Sequence, residues 1–549
     1  MFVRKKRSVQ HGSEYEYLQI VRSYRDGDKV RQEVIATLGR TEKLLASGEV
    51  DGLLRSLAKF SEKLRVVEAT RRPDIQAHAS RQWGPALVFG RLWEQQGIPE
   101  VIHRLSQDRR FEFDVERACF AMALQRLCAP GSDLQGSQWV ATVEAPGLEE
   151  LALQHFYRSA LFLAEVRSEM ETELSWKDRD LFSQDFDVMF IDTTSLYVYR
   201  SEETELFKRG YSRHHRPDLP QVVLSVVVNA QGWPVAWEVF PGNTADVRAM
   251  EKMVNRLRKR LRIRKVVVVA DRGMISKDTI KLLTDDEQAP FQYVLGCKMR
   301  RQKEVSEDVL ARAGRYRTVK DNLEVKEVRV GDRRYVVCRN PSQAVKDKAD
   351  REAMIEKLTK TLAQSGPKAL VGNRGYARFL KVDKQSVSIN PKAVEADARL
   401  DGKFVLTTNT EMPADEVALT YKSLWRVERT FREQKSTLEV RPIYHRCPYT
   451  SIGHIAASFL ALRLEVDLRR RLDERKAAVS WPDLMRDLAQ VQSLVIDLEG
   501  NRYRLRTQMS GSSYHAFKAA GVRPPETVSL LGPAPPQPEP PSPTQPSFL

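Results

Sequence analysis

The chain has 549 residues, 42% of them apolar and 30% charged, and its 89 Lys and Arg exceed its 73 Asp and Glu to give a net charge of +16. That length supports roughly three or four domains with sizeable cores, and that charge favours a polyanionic partner. No apolar run of about 18 residues is available to span a membrane, no apolar stretch follows the basic N-terminus as in a secretory signal, no phosphate-binding glycine loop occurs, and the five cysteines lie far apart, so a reducing, cytoplasmic setting is expected with neither a disulfide framework nor a zinc site.

In chain order, residues 14–38 read as a β-hairpin, because two aromatic and β-branched runs flank Asp26-Gly27. Arg4, Lys5, Lys6, Arg7 and Arg31 around it are either phosphate contacts or a solvated face. A helix over 42–66 closes a first region, 1–66. Residues 67–182 form a helical region. Leu87, Leu92 and Trp93, then Ile98, Val101, Ile102 and Leu105, recur at three- and four-residue steps, and further helices are expected over 115–127 and 151–163.

From 183 to 300 the pattern becomes that of a buried sheet. The apolar run 188–191 ends on Asp192, followed by Thr193 and Thr194. A polar loop, 210–221, holds Arg213, His214 and His215 and reads as a basic loop. The runs 222–228 and 235–240 form a hairpin. A helix from Asp246 ends in a dense series of cations. The valine-rich run 265–270 has the character of a strand buried on both faces, and it stops on Asp271 before Arg272 and Gly273. Strands that end on a carboxylate commonly present it at a sheet edge where ligands bind, although an Asp there also serves turns and helix caps. Lys298, Arg300, Arg301 and Lys303 close the block with positive charge. Residues 301–400 read as a β-rich insertion domain, 401–475 as the return to the core, 476–520 as a small C-terminal unit, and 521–549 as a Pro-rich disordered tail.

Within the return, 420–445 reads as one long helix with an exit strand. Tyr421, Leu424, Glu428, Phe431 and Lys435 fall on one stripe. A carboxylate on an apolar face needs a metal ion or a basic partner; otherwise Glu428 sits at the edge of the stripe.

Asp192, Asp271 and Glu428 together resemble the acidic triad of bacterial insertion-sequence DDE transposases. Tyr421-x2-Leu424-x3-Glu428-x6-Lys435 resembles that family's Y-x2-R-x3-E-x6-K signature, with Leu424 in place of the Arg and Arg426, Arg429 or Arg432 left to supply the charge. The resemblance covers about 180–460 and the first 40 residues, and the long interval from Asp271 to Glu428 fits members with an insertion before the Glu helix. It implies an α/β multidomain chain: an RNase H-like mixed-sheet catalytic core interrupted by a β-rich insertion, preceded by an N-terminal β-hairpin and a helical region. It also implies that 67–182 recognises the element's ends, although a scaffold or dimerisation role fits the same helices. Three carboxylates converge only around cations, and oxygen ligands favour two Mg²⁺ or Mn²⁺ ions, which activate a water or 3′-OH and stabilise the leaving oxygen. On this reading Tyr421, Lys435, Arg432, Arg426, Arg213, Arg272 and Lys298 contact DNA, and the partners are double-stranded DNA, as terminal inverted repeats and target, and a second copy of the chain in the synaptic complex. An RNase H-like nuclease that cuts without joining, or a non-catalytic DNA-binding regulator, are the alternatives.

Overall fold

The computed structural model describes residues 1–10, 13–26, 29–58, 76–181, 188–212, 216–259, 267–274, 276–284, 291–365, 377–383 and 386–535. The chain divides into two compact units, one of Met1–Gly84, Arg486–Tyr514 and Arg523–Leu549, the other of Pro85–Met485 and His515–Val522.

The first unit holds two antiparallel sheets. Strands β1 (Phe2–Gln10), β2 (Ser13–Asp26) and β3 (Lys29–Arg40) form one, followed by helices Thr41–Ala46 and Glu49–Ala58. The expected hairpin therefore gains a third strand. Its sequence, FVRKKRSVQ, has too few apolar residues to signal a strand, and cross-strand pairs such as Lys5–Glu16 at 3.2 Å help hold it to β2. The second sheet runs β18-β17-β16-β4, with β4 Gln76–Gln82, β16 Gln492–Leu498, β17 Asn501–Arg506 and β18 Val528–Pro533. A two-residue turn at Glu499-Gly500, both at positive φ, joins β16 to β17. Two expectations change here. Residues 76–82 are a strand within the stretch read as helical, and the Pro-rich segment read as disordered contributes β18, whose ladder with β17 needs only backbone groups. Residues 536–549 lie outside the described residues.

The second unit is organised by a nine-stranded sheet in the order β10-β11-β12-β15-β9-β8-β5-β6-β7. Third from one end is β5 (Val188–Tyr197), with β6 (Gln221–Asn229) and β7 (Pro234–Pro241) antiparallel on one side, and β8 (Val267–Ala270) and β9 (Gln292–Gly296) parallel on the other. That hairpin next to a parallel extension is the RNase H-like arrangement. Every residue of β6 and β8 is buried, which is why both read as continuous apolar runs. Helix Asp246–Lys259 adds Met250, Met253, Val254 and Leu257 to the same core.

The stretch read as a separate insertion domain is built differently. β10 (Arg317–Lys320), β11 (Leu323–Val330) and β12 (Arg333–Arg339) continue the main sheet, because β12 pairs with β15 (Lys403–Thr408) and β15 with β9. Among the described residues, helix Pro341–Ser365, the hairpin of β13 (Leu380–Asp383) and β14 (Ser386–Ile389), and helix Pro391–Ala398 stand apart from it, around a small core at Leu358 and Phe379. Helix Pro448–Glu474 packs along Leu153–Leu181 and against Val115–Cys128. Its apolar residues are distributed all round because nearly all are buried.

Candidate active site

β5 and β8 run side by side in parallel, with Ile191 opposite Ala270. Asp192 and Asp271 are each the next residue, so register alone brings two half-buried carboxylates to neighbouring positions where β8 ends; β5 does not stop on Asp192 as expected but continues to Tyr197, because β6 goes on pairing with it. Asp192 Oδ1 accepts the Thr193 N–H at 2.7 Å. On the other face of β5, Thr193 Oγ1 donates to Asp246 Oδ1 at 2.6 Å, tying the start of helix Asp246–Lys259 to this strand. Asp271 opens a tight turn, Arg272–Met274, closed by Met274 N–H to the Asp271 carbonyl at 3.0 Å.

The expected single helix is broken into three pieces: Ala414–Lys422, Trp425–Arg432 and a wide turn over Glu433–Thr437. Between the first two, Leu424 N–H bonds the Tyr421 carbonyl at 3.0 Å and Val427 N–H the Leu424 carbonyl at 3.1 Å, three residues back instead of four. Such a tightened turn rotates everything after it. Leu424, Val427, Phe431 and Leu438 face inward as a result. Glu428 lies beside them, exposed, at the edge of the stripe and not on it. Its helix rests against β5 and β6. The exit is fixed too, since Tyr199 N–H bonds the Ile443 carbonyl at 2.9 Å, next to the end of β5.

The two ends of the signature are bound to the two carboxylate strands. Tyr421 Oη donates to Asp271 Oδ1 at 2.9 Å. Burial and the neighbouring Asp271 charge push the Tyr421 phenol well above its usual range, so it remains a donor. Its ring stacks on Phe404, centroids 5.9 Å apart. Gly296 makes room for it, as a Cβ there would come within 2.4 Å of the Tyr421 hydroxyl. Lys435 Nζ donates to Thr194 Oγ1, two residues beyond Asp192 and on the same face of β5. Both side chains read as DNA contacts are thus engaged with the protein's own strands.

The remaining expected residues separate. Arg272 and Lys298 line one open cleft with Asp271, Gly273, Arg300 and Arg301. Arg426 stacks on Trp425 and lines a different cavity, with Arg429, Glu433, Glu465 and Arg469, and burial lowers its pKa. Leu424 is buried where the signature has Arg, and Arg429 pairs with Glu433 at 3.6 Å, so neither Arg426 nor Arg429 stands in for it beside Asp271. Arg432 is exposed on the Glu428 helix. Arg213, with His214 and His215, lies outside the described residues. Gly296 and Phe404 were not singled out by the sequence, and Thr194 and Asp246 were noted only as a residue after Asp192 and as a helix start. The one signal for Gly296 is a glycine ending an apolar strand.

Two groups of possible metal ligands among the described residues have donor atoms within 4.8 Å of one another, Asp133 with His445 and His454, and His103 with Asp114 and Glu116; the Asp192, Asp271 and Glu428 carboxylates are not drawn that close together. Three negative groups repel unless a cation lies between them. The Asp133 group already has its counter-charge. Arg126 Nη2 lies 3.1 Å from Asp133 Oδ1 and 2.9 Å from His454 Nδ1, and burial with that guanidinium holds the His454 pKa well below its usual value.

The description "Transposase DDE domain" matches residues 183–464, just over half of the chain. The chain belongs to the DDE transposase family. The matched region runs from the start of β5 through the signature helix into Pro448–Glu474, and residues 3–71 match "IS1634 family transposase, N-terminal domain", which marks an insertion-sequence transposase. No curated protein sequence matches the chain. Among solved structures, a cryo-EM structure of the piggyBac transposase synaptic complex with hairpin DNA is similar with a TM-score of 0.38 and 10% identity, covering 74% of this chain and 79% of that one. No helix among the described residues is long and apolar enough to cross a membrane.

Proposed function

We propose that this transposase cuts the ends of its element and joins them to target DNA, with Asp192, Asp271 and Glu428 as the catalytic, metal-holding carboxylates. The observation that carries this reading is the parallel pairing of Ile191 with Ala270, which sets two aspartates side by side under a helix bearing the third acid. Carboxylates alone make a hard donor set suited to Mg²⁺ or Mn²⁺. Two such ions, when bound, supply an activated attacking oxygen and a stabilised leaving oxygen.

The chain's own residues prepare that chemistry. Tyr421 holds Asp271 in one orientation by its hydrogen bond. Lys435 fixes the Glu428 helix to β5 through Thr194. Arg272 and Lys298 line the cleft beside Asp271, where their charge suits the phosphates of the strand being cut. Two element ends must meet during joining, so the DNA-bound form is a homodimer.

The test is Mg²⁺-dependent cleavage and strand transfer on linear DNA carrying the element's ends, comparing wild type with Asp271→Ala. Wild type is expected to give cut and joined products, both lost on chelation of the metal, and the variant to give neither while still binding DNA. Equal cutting by both proteins would remove Asp271 from the site. Cutting without joined product would make the chain a nuclease of the same fold.

A further inference from the structure

The N-terminal sheet sorts its charges by face. Side chains alternate along a strand, and the continuous register of β1 on β2 shows which positions lie together. Arg4, Lys6, Tyr15, Tyr17, Gln19 and Arg25 lie on one face, joined by Gln32 and Arg40 of β3. Lys5, Arg7, Glu14, Glu16, Arg22 and Asp26 lie on the other, joined by Arg31 and Glu33. All four acids of the described strands fall on the second face.

The pairs follow this division. Glu16 meets Lys5 at 3.2 Å and Arg7 at 3.2 Å, Glu33 meets Arg22 at 2.7 Å, and Asp26 meets Arg31 at 2.8 Å. On the first face the cations meet only neutral groups among the described residues. Arg4 donates to Gln32 Oε1 at 3.0 Å and to Gln19 Oε1 at 3.4 Å. Arg40 bonds the Tyr17 hydroxyl at 3.3 Å and lies 3.8 Å over the Tyr15 ring. Lys6 and Arg25 are exposed. From Lys6, opposite Tyr17, to Arg25 is about 27 Å along β2.

We propose that this uncompensated face, Arg4, Lys6, Arg25 and Arg40 with Tyr15 and Tyr17, is a docking surface for the phosphate backbone of duplex DNA. Charge complementarity selects DNA as the occupant. Neutral partners orient Arg4 and Arg40 without cancelling their charge, so the face attracts a polyanion, whereas the opposite face has neutralised itself. Tyrosine hydroxyls add phosphate donors. The inference rests on the reading of the chain as a DNA-acting transposase and assigns one of its contact surfaces.

The experiment measures the affinity of the full chain for a short duplex of arbitrary sequence across a series of salt concentrations. Two variants remove the same number of positive charges: Arg4→Ala/Lys6→Ala/Arg25→Ala/Arg40→Ala on the first face, and Lys5→Ala/Arg7→Ala/Arg22→Ala/Arg31→Ala on the second. The first is expected to weaken binding about ten-fold or more and to flatten the dependence of log K on log salt by about 0.9 for each phosphate that is no longer neutralised. The second is expected to leave the slope near that of wild type. Should the first variant fold poorly, the exposed pair Lys6→Glu/Arg25→Glu tests the same face. Equal losses from both faces, or no loss from the first, overturn the proposal while leaving the catalytic reading intact. A wild-type chain that binds no duplex overturns both.

Discussion

At the scale of single residues, the hydroxyl of Tyr421 and the missing side chain of Gly296 form one device. The hydrogen bond to the Asp271 carboxylate is charge-assisted, a type worth about 1.5–3 kcal/mol. Tyr421→Phe keeps the ring on Phe404 and removes the donor. Its single-turnover cleavage rate is expected to fall about ten-fold or more with little change in melting temperature, and an unchanged rate would deny Tyr421 a positioning role. Gly296→Ala should give the same kinetic defect with Tyr421 in place, because its Cβ displaces the hydroxyl. The sequence marked Tyr421 through its spacing from Glu428. It gave no hint that Asp271, 150 positions earlier, is its partner, since hydrogen bonds between distant elements leave no periodic trace.

At the scale of elements, the signature helix shows how a local turn decides which residues face inward. Steps of three and four keep Tyr421 in line with Glu428 only if every turn is regular, and the tightened turn at Leu424 breaks that condition; within Trp425–Arg432 the buried residues are Val427, Thr430 and Phe431, which leaves Glu428 at the edge of their stripe. Behind the same helix, Glu465 is buried against Arg469, with Nε to Oε1 at 2.8 Å, and its Oε2 has no hydrogen-bond partner among the described residues. Burial pushes its pKa up to about 7 despite Arg469, with Glu433 nearby adding to the rise. The folded chain therefore keeps a proton that the unfolded chain releases. Stability from this group is complete below the ordinary carboxylate value of 4.5, falls as pH rises towards about 7, and is level above it. Melting temperature should drop over that window in wild type, and Glu465→Gln should flatten the drop. A wild-type curve that rises there would contradict the assignment.

At the scale of the larger unit, one buried ion pair joins elements that are remote in sequence. Arg463 of helix Pro448–Glu474 donates to both carboxylate oxygens of Asp178 on Leu153–Leu181, at 2.9 and 2.7 Å. Trp233, at the turn between β6 and β7, donates its Nε1–H to the same carboxylate at 2.9 Å, and the Arg463 guanidinium lies 4.8 Å from the Trp233 ring centroid. Gln96 adds a bond to Arg463 at 3.3 Å. Removing one partner leaves the other charged and buried, so Arg463→Ala is expected to cost about 3–5 kcal/mol in denaturant unfolding. A loss below about 1 kcal/mol would show that water reaches Asp178 once the guanidinium is gone. The pair lies where helices Leu153–Leu181 and Pro448–Glu474 pack on β7, and its removal should loosen that packing before it touches the carboxylates.

The sequence by itself determined the apolar strand leading into Asp192 and the one that stops before Asp271, because strands buried on both faces must be apolar throughout, but not that β5 runs on past Asp192 to Tyr197. It also determined the signature spacing and, through that resemblance, the family. Only the tertiary structure decided that β10, β11 and β12 extend the central sheet, that β4 pairs with a strand more than 400 positions later, and that Glu428 stands exposed beside its stripe. The physical reason is the same in each case. Burial of a strand or helix face is written in its own residues, whereas pairing between backbones, the winding of one turn and the meeting of charges from distant elements depend on groups that every residue carries or on partners that sequence order does not reveal.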